Sequence, residues 1–266
     1  MNTIEFMTPI QEFSEILRYK ELLRNLVARD IKKRYKRSTL GFLWVMLDPL
    51  LMMLVFYIIF SGLFGKTVGN YTAYVITGII MWQLFAQGTK VASTAFLQNR
   101  NLISKIHLPT AIFPIAIVGS SVAHFIFSLV PLFIIILFSG TIPSYYIPLL
   151  PVTIALIVIF SVGISLTIST LTVFFHDVVY IYDVILIGWM YLSAIFYPVT
   201  ILPQKLQILM SLNPLYHYIS LFRACIYDTT LPIIEHLIFG TAFSIISFAI
   251  GWIIYHQNRD KIIFYI

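Results

Sequence analysis

The side chains that most often carry chemistry are sparse and scattered in this sequence. Its six histidines are His107, His124, His176, His217, His236 and His256. They form no His-Glu-x-x-His pattern and have no cysteine cluster beside them, since Cys225 is the single cysteine. Metal sites need several such ligands at defined spacings, so none is expected. A lone cysteine also rules out a disulfide within the chain. Gly65-Lys66-Thr67 has the ending of a phosphate-cradling loop. That loop requires glycine five residues before Gly65, where Phe60 stands, so no nucleotide site is expected. His176, Asp177 and Asp183 lie close enough in sequence to suggest a membrane-bound glycosyl- or acyltransferase. Such an enzyme would need acids or histidines at the membrane face, and no Asp-x-Asp pair occurs. His124 and Asp48 fall inside apolar runs, where an ionisable group is a functional candidate by default. The competing readings are a neutral His124 bonded to a carbonyl and an Asp48 paired with a basic residue. No series of carboxylates crosses the apolar runs, which disfavours a proton-coupled carrier.

The elements that must position these groups are apolar. Hydrophobic residues make up 59% of the 266-residue chain and charged residues 11%. Soluble domains carry about 25% charged residues, so this chain must face lipid over much of its area. Apolar runs cover roughly 42–64, 71–92, 112–138, 147–175, 179–198 and 232–256, each long enough to span a bilayer. The fifth is the weakest, with Asp183 near its start. No cleavable signal peptide is expected, because the first run begins only after a long charged stretch. Of 17 Lys and Arg residues, nine lie in 1–41. Lys90, Arg100 and Lys105 flank the second run, and Arg259 and Lys261 follow the sixth. Only Lys66, Lys205 and Arg223 fall on the other side. By the positive-inside rule this predicts six spans with both termini cytoplasmic. The net charge of +6 sits beside apolar runs and does not point to nucleic acid. Trp82, Tyr145, Tyr146, Trp252 and Tyr255 suit interfacial belts.

The sequence therefore predicts an all-α membrane protein with two parts. Residues 1–41 form a cytoplasmic amphipathic and basic segment, and residues 42–266 form a six-helix transmembrane domain. Within 10–37, Ile10, Phe13, Ile16, Leu17, Leu23, Leu26, Val27 and Ile31 recur at helical spacing, with Arg18, Arg24, Arg29 and Lys32 opposite. That pattern describes a helix lying in the membrane interface, or one packed on a partner. Between the second and third runs, the loop 93–111 carries a short apolar face of Leu102, Ile103, Ile106 and Leu108. From 198 to 231 the chain is apolar but broken by Pro203, Asn213 and Pro214. Broken backbone at membrane depth is tolerated where it is buried in protein or lines a cavity, which suggests a re-entrant helical hairpin entering from outside.

Several stretches resemble one family in order along the chain. Arg29-Asp30-Ile31-Lys32-Lys33-Arg34-Tyr35-Lys36-Arg37-Ser38-Thr39-Leu40-Gly41 leads into Trp44 and Asp48-Pro49-Leu50. Asn101-Leu102-Ile103-Ser104-Lys105-Ile106-His107-Leu108-Pro109 follows, then Phe174-Phe175-His176-Asp177-Val178. Ser193-Ala194-Ile195-Phe196-Tyr197-Pro198-Val199 and Asn213-Pro214-Leu215 through Phe222-Arg223 complete the set. Together they resemble the membrane subunit of ABC exporters for lipid-linked cell-surface polysaccharides, the branch that exports O-antigen, capsule and teichoic acid. The family often has Arg where His176 stands and a neutral residue where Asp48 stands.

The resemblance implies a homodimer in the bacterial cytoplasmic membrane, served by two copies of an ABC ATPase subunit that bind ATP and Mg. This chain would hold no cofactor itself. Arg29, Asp30, Arg34 and Tyr35 would belong to the interface helix. Arg100, Asn101, Leu102, Ile103, Lys105, His107, His176 and Asp177 would couple to the ATPase. Pro198, Pro203, Asn213, Pro214 and Arg223 would form an outer gate. Aromatic faces suit a sugar path, which makes Phe42, Trp44, Phe56, Tyr57, Trp189, Tyr191, Phe196 and Tyr197 channel candidates. Two other readings remain at this point: an ABC exporter for a drug or small lipid, and the transferase.

Overall fold

The computed structural model describes residues 15–16, 18–36, 38–105, 108–140, 143–227, 230 and 232–266, and the described residues contain helices and turns but no strand. Helix α1 covers Lys20–Tyr35. A turn then delivers the chain into the membrane. There Gly41 adopts φ +53°, a left-handed conformation that other residues rarely take, and its amide donates to the Ser38 hydroxyl oxygen at 3.2 Å. Helix α2 runs Trp44–Phe64 as a continuation of the turn Gly41–Leu43. Helix α3 is Tyr71–Ala92, followed by the short helices α4 (Ala95–Gln98) and α5 (Arg100–Ile103). Then come α6 (Ile112–Phe138), α7 (Leu150–Phe174) and α8 (Val178–Tyr191). Helices α9 (Gln204–Ser211) and α10 (Pro214–Ile226) precede the last helix, α11 (Ile233–Tyr265).

Four segments are long and apolar enough to cross a membrane: Gly41–Phe64, Ile112–Phe138, Ile147–Phe174 and Ile233–Tyr265. They match the first, third, fourth and sixth runs read from the sequence. The other two runs depart from a simple span, each for its own reason. Helix α3 has 22 residues but carries Thr77, Gln83, Gln87, Thr89 and Lys90, which lower its hydropathy. It tolerates them because it packs against α2, α6, α7, α8 and α10 and buries most of its length in protein. Helix α8 stops at Tyr191 after 14 residues. At 1.5 Å per residue that is about 21 Å, short of the ~30 Å hydrocarbon core. The expected continuation to 198 is a series of turns in which Ala194 takes φ +51°.

Two apolar clusters hold the bundle. One joins Val75, Ile80 and Phe85 of α3 to Phe160 of α7 and to Leu215, Tyr218 and Phe222 of α10. The other lies towards the basic ends of the helices and joins Leu26 of α1, Phe96, Ile103, Phe113 and Tyr255. The apolar stripe of α1 thus packs at least partly on its own chain. Leu26 is buried, and a Cβ at Gly119 of α6 would meet Val27 at 3.1 Å. The part of the expected stripe before residue 15, and Leu17, lie outside the described residues.

Helices α7 and α11 form the most extensive pair, and small residues bring their backbones together. A Cβ at Gly251 would overlap the Gly163 carbonyl, and one at Gly163 would overlap the backbone of Ser247. Ser244 donates to Leu156 O at 2.7 Å, and Ser247 donates to Phe160 O at 3.1 Å. Lipid tails are as apolar as leucine, so close backbone approach and interhelical hydrogen bonds replace the hydrophobic drive between such helices. Replacing Gly251 or Gly163 with valine should cost about 2–3 kcal/mol, the upper range for overpacking. Gly62→Val, at a position with nothing within 4 Å, should be nearly neutral. Thermal unfolding of the detergent-purified variants checks the contrast.

Candidate functional site

A polar cluster inside the bundle lies where α1 meets α2, α3 and α6. Arg34, in the last turn of α1, reaches across so that Nη1 donates to Gln87 Oε1 at 2.9 Å and to His124 Nδ1 at 3.1 Å. A guanidinium has no acceptor, so His124 Nδ1 must present its lone pair. The proton of the neutral imidazole therefore sits on Nε2, which is buried with no hydrogen-bond partner among the described residues. On α2, Asp48 accepts from Gln83 Nε2 at 2.9 Å. Tyr35 packs edge-on to the His124 ring at 5.7 Å. Burial raises the Tyr35 hydroxyl pKa while Arg34 opposes the shift, so the phenol stays neutral near pH 7.

Two adjoining cavities share Arg34 and His124. The smaller, about 200 Å³, lies on the α2–α3 side and includes Asp48, Gln83 and Ser128. The larger, about 470 Å³, lies on the α1–α6 side and adds Arg29, Asp30, Lys33 and Asn99. Three cations therefore border the larger one, with Asp30 as its carboxylate. Arg29 pairs with Asp30 at 3.1 Å and donates to Asn99 Oδ1 at 3.2 Å, which ties α1 to the loop after α3. One face of α1 thus touches both the polar cavity and that loop. The arrangement offers fixed cationic donors to a negatively charged group. The interface residues Arg29, Asp30, Arg34 and Tyr35 come together here. His124, Gln83 and Gln87 complete the site. His124 was legible as an intramembrane titratable group, whereas neither glutamine carried a signal of its own.

In the expected coupling loop Ile103 of the short apolar face turns inward, and Ile106 lies outside the described residues. Ile103 is 6% exposed and belongs to the apolar cluster beside Phe96 and Tyr255, with Leu102 packed against it. Leu102 and Ile103, to which the resemblance gives a coupling role, thus pack on the apolar cluster of their own chain. Arg100, Asn101 and Lys105 are the exposed members, and His107 lies outside the described residues. His176 and Asp177 are exposed in the turn between α7 and α8, beside a 67% exposed Phe175. Lys90 bridges from the end of α3 to Asp183 of α8 at 3.0 Å, a pairing the sequence did not suggest.

The channel candidates divide. Phe42, Trp44, Tyr57 and Tyr191 are exposed, and Phe56 is partly buried. Phe196 is 2% exposed and packs on Phe56 at 4.0 Å, so in this chain it is core and not lining. Trp189 donates to Asn213 Oδ1 at 2.8 Å. Tyr197 donates to the Tyr191 carbonyl at 2.5 Å.

Among the outer residues, Asn213 is a hub. Its Oδ1 also accepts from Leu215 N and caps α10, while Nδ2 donates to Leu192 O at 2.6 Å. Pro214 starts α10, Pro203 precedes α9 and Pro198 precedes the turn Val199–Ile201. Arg223 is buried and tied to the backbone around Ala194.

Residues 21–227 match the family model described as ABC-2 type transporter. The chain belongs to the ABC-2 type transporter family. Its apolar helices make this member a multi-pass membrane protein. It is 26% identical over 249 residues to the O-antigen export system permease protein RfbA of Myxococcus xanthus, covering 93% of this chain and 96% of that one. An RfbA of Klebsiella pneumoniae is 32% identical over 216 residues, covering 79% and 82%. The capsule polysaccharide export inner-membrane protein CtrC of Neisseria meningitidis serogroup A is 28% identical over 217 residues, covering 79% and 80%. This ABC-2 transporter chain thus falls with the O-antigen and capsule export permeases.

The packing of the loop yields a test. Ile103→Glu would bury a carboxylate without a partner and should destabilise the permease by about 3 kcal/mol or more. Lys105→Glu, at an exposed position, should shift stability by less than about 0.5 kcal/mol. Unfolding of the purified variants in detergent measures both.

Proposed function

We propose that this chain is the transmembrane subunit of an ATP-driven exporter that moves a lipid-linked cell-surface polysaccharide of O-antigen or capsule type across the bacterial cytoplasmic membrane. The observation that carries the reading is the Arg34–His124 cavity. A lipid-linked glycan presents its anionic headgroup near the cytoplasmic interface, where α1 offers Arg29, Lys33 and Arg34 beside the unpartnered His124 Nε2–H. Charge-assisted hydrogen bonds from a guanidinium are the interactions that suit phosphate oxygens. The export permeases among the relatives support the same substrate class.

In this reading two copies work with two ABC ATPase subunits, which bind ATP and Mg. Exposed Arg100, Asn101, Lys105, His176 and Asp177 supply the ATPase contact. Arg29, bonded to Asn99, carries movement of that loop to α1 and the headgroup cavity. The second copy faces α2 and α8, whose exposed sides include Tyr57, Val184 and Tyr191. Helices α3 and α8 count as the second and fifth of six spans, both termini are cytoplasmic, and α9–α10 form a re-entrant hairpin entering from outside.

Two measurements test this. In the native host, Arg34→Ala should cut surface glycan at least tenfold at unchanged permease level, whereas Arg18→Ala, on an exposed residue, should not. Normal export by Arg34→Ala would remove the headgroup site. For topology, single cysteines replace Lys20, Lys66, Lys105, Tyr145, Lys205 and Asp260 on a Cys225→Ser background. A membrane-impermeant reagent applied to intact cells, with the outer membrane permeabilised where one is present, should label only positions 66, 145 and 205. Labelling at 105 would overturn the six-span arrangement.

A further inference from the structure

At the opposite end of α3 a separate cavity of about 610 Å³ opens between Asn70, the turn after Pro198 and α10. Arg223 lies in its wall and is 3% exposed. Arginine stays charged at any accessible pH, and a buried charge is costly unless it is paired and hydrogen-bonded. Among the described residues Arg223 has carbonyls but no carboxylate. Its Nη1 donates to Ala194 O at 3.1 Å, and Nη2 donates to Tyr74 O at 2.9 Å and Ile195 O at 3.2 Å. Its Cζ sits 3.4 Å from the centroid of the Tyr74 ring. These dipoles and the ring solvate the cation, but no described acidic residue forms an ion pair with it. The Nε–H remains buried with no partner among the described residues.

The rest of the cavity wall has a particular chemistry. Thr67, Thr200 and Ser220 contribute hydroxyls, Asn70 an amide, and Tyr216 an aromatic ring. Hydroxyls and amides exchange hydrogen bonds with sugar hydroxyls, and ring faces accept sugar C–H faces. The guanidinium, which has no carboxylate partner among the described residues, adds an attraction for an anionic group that a neutral sugar lacks. Gly78 permits the arrangement, since a Cβ there would stand 3.0 Å from Arg223 Nη2 and 2.9 Å from Ile195.

We propose that this outer cavity binds an acidic sugar unit of the exported glycan, with its carboxylate on Arg223 and its ring against Tyr216. The proposal rests on the export reading above and narrows the substrate to a glycan carrying carboxylate groups. Because Arg223 also holds the Ala194 turn, its replacement would disturb the fold, so the cavity is better closed from its exposed rim. The test is saturation-transfer NMR on the purified full-length chain in detergent, with sodium glucuronate, glucose and glycerol 3-phosphate as probes. Glucuronate should bind at least tenfold more tightly than glucose. Thr200→Trp should weaken glucuronate at least tenfold without moving the thermal unfolding midpoint. Equal affinity for glucose and glucuronate, no detectable glucuronate binding, or undiminished binding to Thr200→Trp would each overturn the proposal. Tighter binding of glycerol 3-phosphate than of glucuronate would make this a lipid-headgroup site and also overturn it. The measurement needs neither ATPase nor export, so its failure leaves the export reading standing. Conversely, normal export by Arg34→Ala with intact glucuronate binding would remove the inner headgroup site alone.

Discussion

Inside a bilayer there is no water to satisfy a polar group, and this constraint organises the whole molecule. Polar side chains can sit at membrane depth only where protein surrounds them. Helix α3 is that place. It carries Thr77, Gln83, Gln87 and Thr89 and is enclosed by five other helices. Its hydroxyls fold back on its own carbonyls, as Thr77 does to Ala73 O at 2.7 Å, or link neighbours. Tyr182 of α8 donates to Thr89, which donates in turn to Phe85 O. The lipid-facing work falls to α2, α6, α7 and α11, which meet the apolar requirement by composition alone.

The same constraint explains why both polar sites lie at the two ends of α3. Near its C-terminal end, Gln83 and Gln87 meet Asp48, Arg34 and His124. At its N-terminal end, Tyr71 donates to Phe196 O and Tyr74 carries Arg223 on its ring. Helix α3, buried along its middle, has the Arg34–His124 cavity near one end and the Arg223 cavity near the other. The turn at Ala194 and Ile195 is held to that end of α3 by Tyr74 and Arg223.

Legibility in the sequence followed the strength of the local pattern. The four lipid-facing spans and the α1 basic cluster were readable because long apolar runs and charge clusters are local signals. The end of α8 at Tyr191 was not, since the apolar character continues to Val199 and only the Ala194 turn ends the helix. The direction of Leu102 and Ile103 was also hidden, because a four-residue helix has the same apolar face whether it meets a partner or its own core.

The sequence by itself determined that the chain lives in a membrane. It also carried the ordered motifs of its family. Tertiary structure decided which polar groups meet. Arg34 lies 53 positions from Gln87 and 90 from His124, and Arg223 reaches a carbonyl 149 positions away. No local periodicity encodes such meetings. They depend on which faces of α3, α6 and α10 pack together, and the missing side chains of Gly78 beside Arg223 and of Gly119 beside Val27 permit that close approach.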